Sequence, residues 1–226
     1  MILDSPRPCP YLPRRVMQTR ALATGSISAE LYHQFMDANF RRSGQVLYQP
    51  VCQHCRACMQ IRIGVDLYRP SKSQRRCWRR NQDLTISIDH PRCSHEKSGL
   101  YERYLALWHG VSERAGYDEI ESFLYASPLD TIEVCYREPG GRLIAIGICD
   151  VCPRALSSVY LYFDPEKSRR SLGTFGVMYE IELAKRFGLP HYYLGYWVKG
   201  CRSMEYKASF RPCEVLNSEG KWQVPQ

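Results

Sequence analysis

Between Thr131 and Trp197 the sequence changes period in an order that leaves few folds open. "DTIEVCYR", "RLIAIGICDVC" and "LSSVYLYFD" read as three strands, rich in β-branched and aromatic residues. "EPGG" is a tight turn between the first two, so the spacing predicts an antiparallel meander. "SRRSLGTFGVMYEIELAKRFGLP" follows with a helical period, and Gly188 and Pro190 are its stop signals. "HYYLGYW" then reads as a last buried strand. Three strands, a Gly-containing turn, a helix and a strand build a mixed α/β (α+β) layer.

The first half is less regular. Residues 26–44 read as a helix, with Ser28 as N-cap, Leu31, Phe35 and Met36 on one face and Gly44 as the stop. "MQIRIGV" alternates as a half-buried strand, "SKSQRRCWRRNQDL" reads as a helix and "LTISI" as a short strand. Residues 89–99 have loop chemistry, and a helix over 99–115 ends near Gly116. These elements predict a smaller N-terminal cysteine-containing lobe over 1–95 and a second unit over 96–226. At 226 residues and 44% hydrophobic content the chain can bury a core. No run of about 18 apolar residues is present, so no membrane span is expected. The N-terminus has an early acid and no apolar stretch, unlike a secretory signal, which points to the cytoplasm. Eleven cysteines, an odd number in a long chain, read as reduced thiols rather than a disulfide framework.

Three of those thiols, Cys52, Cys55 and Cys58, recur at C-x-x-C spacing in "CQHCRAC". Two thiolates so spaced are half of a zinc site, and Cys9 or His54 is available as a fourth ligand. The spacing alone leaves zinc, an iron–sulfur cluster and a purely structural role open. "CDVC" at 149–152 lies at a strand end and reads as packing.

The net charge of +8 matters through its clustering. Lys72, Arg75, Arg76, Arg79 and Arg80 fall at helical spacings, Arg69 precedes them, and no acid compensates before Asp83. Like charges on one helix repel, so an anionic partner is expected to neutralise them. Trp78 inside the run suits either a stacked base or a buried anchor. Further on, a strand ends at Phe163, Asp164–Pro165 breaks it, and an Arg/Ser/Gly turn opens a helix, whose free N–H groups suit anions. The loop Arg170-Ser171-Leu172-Gly173-Thr174-Phe175 is similar to the coenzyme A loop of GNAT acyltransferases, with Phe175 where the last small residue belongs. There is no Ser–His–Asp pattern, H-E-x-x-H or Walker loop.

"PCPYLP", "CQHCRAC", "PSKSQRRCWRRNQDL", "YFDPEKSRRSLG", "GLPHYYLGYWVKGC" and "MEYKASFRPCEVL" occur in this order. Together they resemble the bacterial aminoacyl-tRNA–protein transferases, in the aspartate/glutamate leucyltransferase branch, across essentially the whole chain. The pattern departs at Leu12, where eukaryotic relatives carry a second cysteine, at Met59–Gln60 and at Trp197. The resemblance implies a GNAT-like C-terminal half and an enzyme of the N-end rule pathway. Its partners would be leucyl-tRNA as donor and proteins with N-terminal Asp or Glu as acceptors. It also gathers Cys9, Cys52, Cys55 and Cys58 in one region, where relatives place a thiolate cluster.

The aminoacyl ester is already activated, so no cofactor and no enzyme nucleophile is expected in catalysis. Arg75, Arg76, Arg79 and Arg80 are expected to divide tRNA phosphates and the acceptor carboxylate between them. Asp164 is expected to orient the amine or take its proton, with Ser171 and the turn amides near Gly173 serving the oxyanion. Tyr196, Lys199 and Lys207 are expected to line the acyl or tRNA-end site. The other readings are an arginyl donor and a non-catalytic tRNA-binding zinc-knuckle module.

Overall fold

The computed structural model describes residues 1–113 and 115–225. The N-terminal lobe contains β1 (Ile2–Leu3), β2 (Arg7–Pro8), β3 (Val16–Met17), β4 (Thr19–Ala23), α1 (Ala29–Asp37), β5 (Arg41–Ser43) and β6 (Val46–Pro50). Then come β7 (Met59–Gly64), α2 (Lys72–Arg80), β8 (Thr85–Asp89), α3 (His95–His109) and α4 (Tyr117–Ile120). The remainder is β9 (Thr131–Arg137), β10 (Leu143–Cys152), β11 (Ala155–Phe163), α5 (Leu172–Arg186), β12 (His191–Trp197), α6 (Arg202–Glu205), β13 (Cys213–Leu216) and β14 (Trp222–Gln223).

One eight-stranded sheet organises the chain, in the order β14-β13-β7-β12-β11-β10-β9-β8. Its pairs are antiparallel except β11 with β12, because α5 is a crossover between these two. The predicted meander is β9-β10-β11. Strand alternation sends successive residues to opposite faces. Leu156 and Tyr192 join Phe175, Met178 and Ile181 of α5 in one core, and α2 packs there through Cys77 and Trp78. Ala155 and Tyr193 meet Tyr32 and Met36 of α1 on the other face. Farther along that second face Ile146, Ile148 and Tyr162 pack on Leu100, Tyr101 and Tyr104 of α3.

Strands from before and after residue 95 share this one sheet. β7 lies between β12 and β13, β8 is the outer strand beside β9, and α2 packs on α5. Only the β1-β4-β6-β5 sheet, the small β2-β3 ribbon and α1 stand apart. The helix read over 26–44 is likewise shorter. Ser28 does cap it, accepting from Leu31 N, but it ends by Ala38, and Asn39 turns left-handed at φ 65°. Residues 41–50 instead form a hairpin, β5-β6. The helix expected over 99–115 begins earlier, at His95 after a Ser94 cap, and stops at Gly110, left-handed at φ 67°. Position 114 of that expectation lies outside the described residues.

Two buried polar contacts fix the layers. Arg42, from β5, forms a fork with Asp150 of β10, Nε to Oδ2 at 2.9 Å and Nη2 to Oδ1 at 2.8 Å, with both side chains at 0% exposure. Thr131 donates to the same carboxylate at 2.7 Å, and Arg42 also reaches the carbonyls of Gly44 and Ala126. Every partner is inside, so the pair latches the small lobe to the sheet. Between α5 and the sheet lies Glu180, 0% exposed, which accepts from the Tyr192 hydroxyl. Gly147 leaves the room for it, since a Cβ there would overlap the Glu180 Oε1. Burial pushes this carboxyl up to about 7.

Asp150→Ala leaves Arg42 charged and unpaired in the interior. It is expected to cost about 3–5 kcal/mol, measured as the loss in urea-unfolding free energy. For Glu180 the folded chain holds a proton that the unfolded chain, near its ordinary 4.5, releases earlier. Its contribution therefore falls as pH rises from about 4.5 to about 7. Glu180→Gln is expected to remove that slope, on the order of 3 kcal/mol across the window, read as urea midpoint against pH.

Candidate active site

The parallel pair at the centre of the sheet is short. β11 and β12 match only at Ala155–His191, Leu156–Tyr192 and Ser157–Tyr193. On its other side β12 slips register against β7 between Tyr193 and Tyr196, where Gly195 is left-handed at φ 83°. Beyond Ser157 the two strands separate. Val159, Tyr160 and Leu161 are half-buried, although they sit on a strand in the middle of the sheet. A cleft therefore opens between two central strands and runs toward Phe163.

Two cations stand at its closed end. Arg41, only 4% exposed, enters from the small lobe, donating from Nη1 to the Ser157 hydroxyl at 2.9 Å and from Nη2 to the Ser158 carbonyl. Lys207, in the turn after α6, donates to the Tyr196 carbonyl at 2.8 Å. A Cβ on Gly195 would lie 3.5 Å from the Lys207 Nζ and 3.6 Å from the Arg41 Nη2, so both charges converge on the bare Cα. Among the described residues neither cation forms an ion pair. Burial and then the Arg41 charge push the Lys207 ammonium down to about 7.

The expected Asp164–Gly173 segment lies at the other end of β11. Six residues at ~3.3 Å each put Asp164 roughly 20 Å along the strand from Ser158. Asp164 is fully buried and spoken for: Arg142 holds Oδ2 at 2.6 Å, and Oδ1 accepts from Glu166 N at 3.1 Å, capping the 3-10 turn over 165–170. It anchors a turn, with one hydrogen-bond partner on each oxygen. Ser171 is exposed and left-handed at φ 54°, its side chain making no cap to the helix that follows. Gly173 sits under the Phe163 ring, 3.3 Å from where its Cβ would be.

α2 lies over this helix start. A capping box between Ser71 and Gln74 sets its first turn. Cys77 and Asn81 turn inward to the Arg170 carbonyl, and Trp78 packs on Phe175 with ring centroids 5.3 Å apart. Trp78 is thus an anchor, not a free stacking surface. Lys72, Arg75, Arg76, Arg79 and Arg80 remain exposed, and none joins an ion pair among the described residues. The neighbouring Arg170, by contrast, is neutralised by Asp83 at 2.8 Å and by Glu138.

The four cysteines share one cavity. Cys9, Cys52, Cys55 and Cys58 line it with Tyr11, Tyr48 and Tyr196, whereas His54 is exposed and outside it. Burial, and then Cys52, Cys9 and Cys55, push the Cys58 thiol up to about 12. Thiolate chemistry suits zinc or iron–sulfur. However, among the described residues no group of three or more His, Cys, Asp or Glu side chains is placed to hold a metal ion. Tyr196 is buried, and its hydroxyl donates to Asn39 O at 2.9 Å, so its side chain ties the lobes and only its carbonyl meets Lys207. Lys199 is exposed just beyond β12.

The structure thus separates the expected residues into a basic helix at one end of the cleft and Lys207 at the other. Arg41 and Gly195 escape a reading of the sequence, because a charged residue in a short hairpin and a glycine in a strand carry no mark of the tertiary contact. The chemistry available is binding and orientation: an anion at the cation pair, a polyanion along α2 and an extended group in the cleft between them.

The family model described as "Arginine-tRNA-protein transferase, C terminus" matches residues 96–217, and its "N terminus" counterpart matches residues 7–76. The chain is 36% identical over 212 residues to the aspartate/glutamate leucyltransferase of Hahella chejuensis, covering 92% of this chain and 90% of that one. It is 39% identical over 223 residues to the same enzyme of Stenotrophomonas maltophilia strain R551-3, covering 95% and 88%. Among solved structures it is similar in fold to FemX, with a TM-score of 0.50 at 7% identity over 75% of this chain and 60% of that one. It also matches a C-terminal domain from Agrobacterium fabrum assigned to a lysylphosphatidylglycerol synthetase, with a TM-score of 0.53 at 16% identity over 86% and 62%. The chain spans about three fifths of each of these two structures, which support the acyltransferase-like fold expected for β9–β12 and α5. No helix among the described residues is long and apolar enough to cross a membrane. Matched by both halves of the family model and by these relatives over nearly its whole length, the chain belongs to the arginine-tRNA-protein transferase family, among its aspartate/glutamate leucyltransferases.

Proposed function

We propose that the chain transfers leucine from leucyl-tRNA to the N-terminal α-amine of cytoplasmic proteins that begin with Asp or Glu, marking them for degradation. The observation that carries this reading is the cleft between β11 and β12. It is flanked at one end by the exposed basic face of α2 and closed at the other by two unpaired cations. In this reading Arg75, Arg76, Arg79 and Arg80 meet phosphates near the tRNA end, while the start of α5 around Ser171 and Gly173 offers amides to the same strand. Lys199 borders the exit from β12. The aminoacylated end lies along the cleft, with its ester near the point where the strands separate.

The chemistry asked of the protein is modest. An α-amine has an ordinary pKa of about 7.7–8.0, so a useful fraction is neutral at cellular pH. It attacks the ester carbonyl, the ribose hydroxyl leaves, and the amine proton passes to solvent or to the leaving oxygen. Holding the two reactants together supplies most of the rate. A zinc ion or iron–sulfur group held by Cys9, Cys52, Cys55 and Cys58 would brace the small lobe, and no catalytic step depends on it.

Purified protein, leucyl-tRNA labelled on leucine and a peptide beginning with Asp or Glu are expected to yield labelled peptide. Chelator-treated, reduced protein is expected to do so at a rate within about twofold of untreated protein, because the ester needs no further activation. Label that stays on the tRNA would leave a binding module. Arginyl-tRNA as a better donor would move the chain to the arginyl reading. Replacing Arg75, Arg76 and Arg79 together by Gln is expected to weaken leucyl-tRNA binding by about 10–100-fold near 0.1 M salt. It should also flatten the salt dependence in filter binding, leaving the KM for peptide unchanged.

A further inference from the structure

We propose that Arg41 and Lys207 form the receptor for the side-chain carboxylate of the acceptor's first residue, and so set the preference for Asp and Glu. The proposal rests on the leucyl-transfer reading above and assigns its acceptor specificity to two residues.

The argument begins with charge. Arg41 and Arg42 are neighbours, and both are almost wholly buried. Arg42 is matched by Asp150. Arg41 faces Lys207 instead, and no carboxylate among the described residues pairs with either. A buried charge calls for a counter-ion, and two together call for it more strongly. Their donors are also incompletely used. Arg41 spends one N–H on the Ser157 hydroxyl and one on the Ser158 carbonyl, and Lys207 spends one on the Tyr196 carbonyl. A guanidinium has five N–H donors and an ammonium three, so several remain.

Geometry narrows the ligand. Both cations border the bare Cα of Gly195, and a carboxylate oxygen lying over it meets both. The exposed arginines of α2 suit phosphodiesters, whereas at the closed end of the cleft Arg41 lies inside the fold and Lys207 is half-buried beside it. A carboxylate on the acceptor's first residue is a few bonds from its own α-amine. Seating it at the cation pair therefore brings the amine to the gap between β11 and β12, where the ester lies. A neutral amide in its place would leave both cations without a counter-ion. Sites built around a buried polar partner reject such analogues strongly.

The test uses four peptides that differ only in the first residue: Asp, Asn, Glu and Gln. The wild-type kcat/KM is expected to favour Asp over Asn, and Glu over Gln, by roughly 10²–10⁴-fold. Lys207→Met is expected to collapse these ratios at least about tenfold, lowering the acidic peptides and sparing the amides, with the KM for leucyl-tRNA unchanged. Arg41→Lys keeps the charge but loses the fork, and is expected to reduce the ratios by an intermediate amount. Thermal melts identify any variant that has unfolded, and the other variant then carries the test. Ratios that persist while all four peptides slow together would overturn the proposal and move the cations to the reacting ester. A raised KM for leucyl-tRNA with unchanged ratios would also overturn it. If the wild type transfers nothing to any peptide, the leucyl-transfer reading fails on its own. The receptor is then judged by calorimetric titration of wild type with the Asp and Asn peptides, where equal affinities sink it and preference for Asp sustains it.

Discussion

The hydrogen bonds that β11 and β12 do not make to each other govern much of this structure. A parallel pair in mid-sheet would ordinarily continue its ladder, because each unpaired backbone group inside a protein is costly. Here the ladder stops after three residue pairs, and side chains from outside the sheet take over. Arg41 occupies the Ser158 carbonyl and Lys207 the Tyr196 carbonyl. Satisfying main-chain oxygens with cations keeps the strands apart and delivers positive charge to the gap in one arrangement. The opening is thus maintained by the same groups that give it chemical character.

That arrangement makes the small lobe part of the site. Arg41 comes from β5, one residue before the arginine that latches this lobe to Asp150. The latch is local to the charge it positions, so movement of the hairpin would be felt at the cleft directly. Tyr196 contributes from the opposite direction, its hydroxyl gripping Asn39 while its carbonyl holds Lys207. The cysteine cavity lies against the same tyrosine, on the strand whose carbonyl holds Lys207.

The regular half of the fold was legible in the sequence. The strands 131–137, 143–152 and 155–163, the helix 172–186 and the strand 191–197 follow from period and turn residues, which are local. Ser28 and Gly188 act where the sequence places such signals. What was hidden depends on distant partners. Residues 41–44 look like the end of a helix until Asp150 and Ser157 claim the two arginines. β7 alternates like any half-buried strand, and nothing in it announces a place between β12 and β13. At the site, the basic helix was plain from charge spacing, and Lys207 was included on resemblance. Arg41 was invisible, because a buried unpaired charge is a property of three-dimensional surroundings. Asp164 shows the part that is local: Asp–Pro at a strand end is the residue pair of a turn, and it serves as one.

The position of β7 has a consequence for synthesis. The strand leaves the ribosome long before β12 and β13, yet it pairs with both and with no strand made earlier. The pairings within the meander β9-β10-β11 are local, so it can assemble while translation continues. β7 must wait as an unpaired apolar segment until nearly the whole polypeptide has emerged, a window in which nascent chains are prone to aggregate and are shielded by chaperones. The sheet that carries the cleft is therefore completed last, so a truncated translation product would retain the meander and lack the site.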